Sequence, residues 1–408
     1  MFNPSDFLRH WERIAAMKLW DGFEPRSVEV MVFDGVATFT FNTARGLAGF
    51  AAEGEWQRME GRFEALTANT TLGETATVIV NGNAEDASLE AAIIGAHEAF
   101  HVFQAGRYPS WGANEAGAFS YPMEDSEALT MRRLETRALY RAIETLDAGW
   151  ALEALRWRDR RFARLPPSAV MYERELERFE GSAFFVELKA RGMQHRLPEA
   201  DFPIGSVRPR AYATGQVMLR LLEVWQPNLL AELETAYPDE LLRRCGSKLN
   251  AAQRTLEETL ETVEAERAMR EVRALEEERD NARLEFQNSA AVMLEVESKS
   301  ALWLQGFDPM NVKRLSETEV LHGRFLELGN AAGSMRMLGV ESLTVAAGAH
   351  PLMEGVRSVW IALSGAPEVT TMNETLELNG DGFSLKLSGA SLEQDSAQHS
   401  VSWRITIP

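Results

Sequence analysis

The chain has 408 residues, 45% of them hydrophobic and 25% charged, enough to bury a large core in two or three domains. Its formal net charge of −19 argues against nucleic acid or an anionic membrane as a main partner. One cysteine, Cys245, excludes an internal disulfide framework and agrees with a reducing compartment.

Taken in chain order, the first twenty residues scatter acidic and basic side chains through an amphipathic helix pattern. They show no apolar core or cleavage-site pattern of a secretory leader, and no apolar run in the sequence is long enough to span a bilayer. A cytoplasmic protein without a membrane contact is therefore expected. Val28 to Val32 and Val36 to Phe41 read as two short strands around the turn Asp34-Gly35. Ala76 to Val80 is a further apolar run that ends at Asn81-Gly82-Asn83 and leads into a helix. That helix is apolar on most sides (Ala91, Ala92, Ile93, Ile94, Ala96, Phe100, Val102, Phe103), opened by Asp86 or Ser88 and stopped near Gly106.

Inside it lies His97-Glu98-Ala99-Phe100-His101. On a helix, histidines four apart project from one face, so two imidazoles can grip one zinc ion. The glutamate beside the first can take a proton from water at the metal. A buried helix seldom carries such groups without partners, since an unpaired buried polar group costs roughly 2–7 kcal/mol. His97 and His101 are therefore expected metal ligands and Glu98 the expected general base.

From Pro122 to about Gly192 the pattern is helical. Ser126 to Ala148 reads as one amphipathic helix with Leu139, Ile143 and Leu146 on a stripe, and Tyr172 to Lys189 as another, closed by Gly192. A third begins near Tyr212 and runs to Trp225. Leu249 to Phe286 is dense in Glu and Arg, free of Gly and Pro, and spaces Leu256, Leu260, Val263, Met269, Val272 and Leu275 helically. It reads as a long solvated arm packing one narrow stripe, or as a coiled-coil contact that would make a homo-oligomer. After about Val292 the period changes to two. His399 to Ile407 alternates, Leu376 to Leu387 makes a hairpin around Asn379-Gly380-Asp381-Gly382, and Glu319–Leu328 and Val359–Leu363 add strands. These predict an antiparallel β sandwich or barrel. The expected domains are 1–248 with the metal site, 249–290 as the charged helical segment, and 291–408 as the β domain.

A catalytic zinc takes three protein ligands and keeps one position open. The candidates for the third are Glu115, Glu124, Glu127 and Glu180. Glu180 stands out because Gly181-Ser182-Ala183 follow it in an otherwise bulky helix. Small residues there would let that helix approach the histidine-bearing one, and glycine inside a helix costs about 1 kcal/mol against alanine.

Here the chain resembles the glutamate-type HExxH metallopeptidases with a zincin core, the gluzincins, and among them the aminopeptidase N and leukotriene hydrolase group. In that group a helix bearing Glu-Gly-x-Ala follows the HExxH helix, and a Tyr-x-x-Gly segment comes later. This sequence has Glu180-Gly181-Ser182-Ala183 and Tyr212-Ala213-Thr214-Gly215. Over roughly residues 75–230 the resemblance implies a zincin-like α+β fold, His97, His101 and Glu180 as zinc ligands, Glu98 as general base, and Tyr212 as donor to the oxyanion. The stretch between His101 and Glu180 is far longer than in those families. Thermolysin-like enzymes place the third ligand nearer, which keeps Glu127 and Glu115 open. The Gly-Ala-Met-Glu-Asn segment that captures a substrate amino terminus is absent, so aminopeptidase action is not implied.

Beyond these, Arg208 and Arg210 flank Tyr212 and read either as substrate carboxylate or carbonyl contacts or as a solvated face. Glu173 and Glu177 share the Glu180 face and read either as supports for a ligand imidazole or as helix-surface charge. His10, His195, His322, His350 and His399 lie outside any ligand-spaced cluster and read as structural. The expectation is a zinc-dependent hydrolase acting on a peptide or protein. Its alternative is a non-catalytic or substrate-dedicated protein that uses the arm and the β domain for protein contacts.

Overall fold

Apolar alternation in the first eighty residues produces strands, and helices take over where apolar spacing changes to three and four. The computed structural model describes residues 1–43, 46–66, 68–81, 83–249, 251–308, 311–397 and 400–407. Its helices are α1 (Pro4–Ala15), α2 (Ala87–Arg107), α3 (Gly117–Ser120), α4 (Ser126–Thr145), α5 (Ala148–Phe162), α6 (Pro167–Arg191), α7 (Val207–Trp225), α8 (Pro238–Lys248) and α9 (Glu258–Ser289). With the two sheets they make an α+β protein, and no helix among the described residues is long and apolar enough to cross a membrane. Two units separate. One comprises Met1–Asn114 and Glu127–Glu266, the other Glu115–Ser126 and Arg267–Pro408. The division therefore falls inside α9, where the sequence reading set 249–290 apart as its own segment.

The first unit carries strands β1 (Glu29–Phe33), β2 (Ala37–Phe41), β3 (Ala51–Glu53), β4 (Trp56–Glu60), β5 (Thr70–Leu72) and β6 (Thr75–Ile79), in the order β3-β4-β2-β1-β6-β5. β1 and β2 form a hairpin whose turn is closed by Asp34, which accepts from the backbone N–H of Val36 and Ala37, both at 2.8 Å. β6 pairs parallel with β1, and the chain then enters α2, whose first turn is capped by Asp86 accepting from Leu89 N–H at 2.9 Å. A side chain at Gly95 would put its Cβ 3.2 Å from the Trp11 ring and 3.5 Å from Val30, so glycine lets α2 lie close to both α1 and the sheet.

Three helical expectations are corrected. Ser126–Ala148 is not one helix: α4 ends at Thr145, Leu146 turns to φ +52°, and Asp147 caps α5 by accepting from Gly149 N–H at 2.8 Å. Leu146 is consequently exposed, while Leu139 and Ile143 are buried as the stripe requires. α7 begins at Val207, because Pro209 is tolerated in a first turn, so Tyr212 sits within the helix rather than opening it. In α9, Val263 and Met269 face solvent, while Glu264 and Arg279 are buried beside Ala268, Val272 and Phe286. Glu264 is matched by Arg137 at 2.7 Å and Arg279 by Glu124, pairings that a count of apolar residues does not register.

In the second unit the long strand Val292–Phe307 pairs with Val356–Leu363 along its first part and with Phe325–Asn330 near its end, both antiparallel. Its pairing with Ser400–Ile407 is parallel, a departure from the antiparallel expectation. Glu319–Leu328 is two strands with different neighbours, Glu319–His322 and Phe325–Asn330. The hairpin Thr375–Gly380 with Phe383–Ser388 forms as the turn residues predict. His399 lies outside the described residues.

The helices of the first unit are clamped by a buried ion network. Glu135 accepts from Arg158 at 2.8 Å, Arg161 at 2.9 Å and Arg210 at 3.0 Å. Glu173 pairs with Arg161, Glu177 with Arg158 at 2.5 Å and with the Thr214 hydroxyl at 2.7 Å, and Asp201 with Arg132 at 2.8 Å. Burial pushes the Glu135 carboxyl up, but the three guanidiniums hold it far below the usual carboxylate range. Its contribution to stability is thus present at neutral pH and is lost as pH falls below the unfolded value of about 4.3. Removing one member of such a cluster strands the others. Glu135→Ala is expected to destabilise the protein by about 3–5 kcal/mol in denaturant unfolding at pH 7, and a cost below about 1 kcal/mol would mean that the network does not hold these helices together.

Candidate metal centre

His97 and His101 project from one face of α2, and α6 brings Glu180 against them. Their ligand atoms make a small triangle. His97 Nε2 and His101 Nε2 are 3.2 Å apart, His101 Nε2 and Glu180 Oε2 are 3.2 Å apart, and His97 Nε2 and Glu180 Oε2 are 3.7 Å apart. Donors about 2.0–2.1 Å from a tetrahedral zinc ion stand about 3.3–3.4 Å from each other. The three groups therefore could hold one metal ion, and they are the only His/Cys/Asp/Glu set of this kind among the described residues. Their side chains are 10%, 10% and 7% exposed, so competing water is largely excluded.

The far side of each ring fixes which nitrogen carries the proton. His97 Nδ1 lies 3.1 Å from Glu187 Oε2, and His101 Nδ1 lies 2.7 Å from Gln104 Oε1. Gln104 is itself oriented, because its amide nitrogen donates to Phe179 O and Ser182 Oγ, each at 2.8 Å. Its carbonyl oxygen must then be the atom facing His101. Both imidazoles are thus held through Nδ1 and turn Nε2 inward, the orientation a metal-ligating histidine needs. Glu187 is held in turn by Arg191 at 3.0 Å, and Arg191 bridges to Glu90 on α2 at 2.5 Å.

The field at this point favours positive charge. Burial works against a charged His97, but Glu180 and Glu187 outweigh it and raise its pKa to about 10. Glu180 is likewise penalised by burial, yet the two imidazoles hold it far below the usual carboxylate range. Glu98 differs. The residue is 7% exposed, its carboxyl makes no hydrogen bond among the described residues, and burial raises its pKa against the pull of His97 and His101. No structural partner among the described residues occupies it. Tyr212 joins the site from α7: its ring centroid is 6.3 Å from that of His97, its hydroxyl accepts from Arg208 Nε at 3.1 Å, and burial raises its pKa.

Of the other candidates, Glu127 is an exposed partner of Arg164, while Glu115 and Glu124 belong to the second unit, Glu124 paired with Arg279. Glu173 and Glu177 neither support a ligand imidazole nor lie on the helix surface, since both are buried in the arginine network. Arg210 is 2% exposed in that network, so it is neither a solvated residue nor a substrate contact. Arg208 pairs with Glu180 Oε1 at 2.7 Å. The expected role of Gly181 also changes: its Cβ would meet Gly215 Cα at 2.8 Å, so the glycine admits α7, while the neighbouring Ser182 faces α2 through Gln104.

Glu187 and Gln104 were not anticipated from the sequence. Glu187 falls seven residues after Glu180, two turns on along the same face, and that spacing was the available signal. No protein-family model, curated protein or solved structure matches this chain. Because Glu187 fixes the His97 ring, Glu187→Ala is expected to weaken zinc binding by about 10–100-fold, measured by competition with a chelating indicator; unchanged affinity would show that this carboxylate does not orient the ligand.

Proposed function

We propose that the first unit is a zinc-dependent hydrolase of the glutamate-type HExxH class, with a zincin-like core and a peptide or protein as substrate. The observation that carries this reading is the position of Glu98, a buried residue whose carboxylate has no hydrogen bond among the described residues, next to three converging groups that could hold an ion. A structural metal site has no use for such a group, whereas a hydrolytic one needs a base beside the ion. Bound zinc supplies Lewis acidity, lowering the pKa of water toward about 7 and polarising a carbonyl. His97, His101 and Glu180 hold the ion. Glu98 accepts the proton that water loses as its oxygen attacks the carbonyl carbon, then delivers that proton to the leaving amine nitrogen. Tyr212 donates its hydroxyl proton in a hydrogen bond to the carbonyl oxygen as charge builds there.

Two features support a peptide over a smaller substrate. β5 ends its sheet, and the edge strand lies next to α2. An extended chain can add to such an edge through backbone hydrogen bonds, which would align a peptide beside the ligand helix. The resemblance in Glu180-Gly181-Ser182-Ala183 and Tyr212-Ala213-Thr214-Gly215 adds to this. Glu98→Gln keeps the size of the side chain and removes the base. It is expected to bind zinc as the parent does and to cleave a peptide substrate about 10²–10⁴-fold more slowly. A Glu98→Gln protein that hydrolyses the substrate at the parent rate would show that this carboxylate is not the base. Tyr212→Phe is expected to lower kcat more than it raises KM; an equal effect on binding alone would remove Tyr212 from the reaction.

A further inference from the structure

We propose that Arg208 is the positioning residue of this centre: its guanidinium holds Glu180 as a one-oxygen ligand and holds the Tyr212 hydroxyl beside it. The inference rests on the metal reading above and assigns a residue that the HExxH pattern does not include. A carboxylate can offer a metal one oxygen or both, and which it offers depends on what occupies the second. In Glu180, Oε2 faces His101 at 3.2 Å and His97 at 3.7 Å, while Oε1 accepts from an Arg208 terminal nitrogen at 2.7 Å. That charge-assisted bond leaves only Oε2 for an ion.

The same guanidinium reaches the tyrosine. Arg208 Nε donates to the Tyr212 hydroxyl at 3.1 Å, and the guanidinium carbon lies 5.4 Å from the ring centroid. The hydroxyl also hydrogen-bonds Glu180, so guanidinium, carboxylate and phenol form one cluster. Arg208 and Tyr212 are four apart on α7, one turn, whereas Glu180 is on α6, so one planar group ties two helices to one point. The backbones are in contact close by: a Cβ at Gly215 would collide with Glu177 O, which fixes the distance the fork must bridge. Lysine could not reproduce this. A single ammonium lacks the fixed, diverging N–H pair that serves a carboxylate and a phenol together. Nor is this an ordinary surface ion pair, since the Glu180 side chain is only 7% exposed while that of Arg208 is 42% exposed.

The test is metal binding rather than turnover. Metal-stripped parent, Arg208→Met, Arg208→Lys and Tyr212→Phe are titrated with zinc against a chelating indicator, and with cobalt(II), whose visible absorption reports coordination number. Parent and Tyr212→Phe should bind one zinc with equal affinity. Arg208→Met should bind about 10–100-fold more weakly, with a weakened cobalt band as the second Glu180 oxygen enters the coordination sphere. Arg208→Lys should fall between them, and it carries the test if Arg208→Met does not fold. A parent that binds no zinc overturns the metal reading and this assignment with it. A parent that binds zinc while both Arg208 variants match it in affinity and spectrum overturns the role of Arg208 alone.

Discussion

Two imidazole Nε2 atoms, 3.2 Å apart and facing one carboxylate oxygen, are the contact that joins α2 to α6 in the helical unit. Groups at this spacing need a shared proton or a cation among them, and the carboxylates that raise the His97 pKa favour positive charge here. Each ring is denied relief by rotation, because its other nitrogen is committed to Glu187 or to a Gln104 that Phe179 and Ser182 hold in place. α2 must therefore lie close to α6, and α6 must expose the Glu180 face to it.

Rigidity comes from charge as much as from apolar packing. Arg158, Arg161 and Arg210 are almost fully buried, each matched by carboxylates on neighbouring helices. Desolvating such groups costs several kcal/mol per ion, so their pairing is weak grounds for high stability. What they offer is direction: a guanidinium fork accepts carboxylates only in certain planes, which fixes how α4, α5, α6 and α7 rotate against one another. Gly181 and Gly215 then bring α6 and α7 into backbone contact. The result is a frame in which Glu180, Tyr212 and Arg208 have little freedom relative to the ligand helix.

Much of the centre was legible in the sequence because helical periodicity alone puts His97 and His101 on one face, and local composition singled out Glu180. The explanation for Gly181 was less good, since no local rule tells which helix a small residue will meet. Glu173, Glu177 and Arg210 were read as surface or site charge, because spacing on a helix says nothing of partners supplied from elsewhere in the chain. Their burial exists only once Arg158, Arg161 and Glu135 are in place. Leu146 failed for a different reason: an exposed leucine at positive φ breaks the helix, and only the aspartate after it hinted at a new start. In the β unit alternation revealed strands and the hairpin turn. It could not reveal that Ser400–Ile407 would pair parallel with the beginning of Val292–Phe307, because the face pattern is the same for either direction.

The most direct trial is a crystal of the protein exposed to zinc, with anomalous scattering recorded on both sides of the zinc absorption edge. One peak is expected within bonding distance, about 2.0–2.2 Å, of both imidazole Nε2 atoms and one Glu180 oxygen, with no fourth side chain on the ion. Imidazoles joined only to protein groups with no peak between them, or a peak enclosed by four protein ligands, would contradict the account.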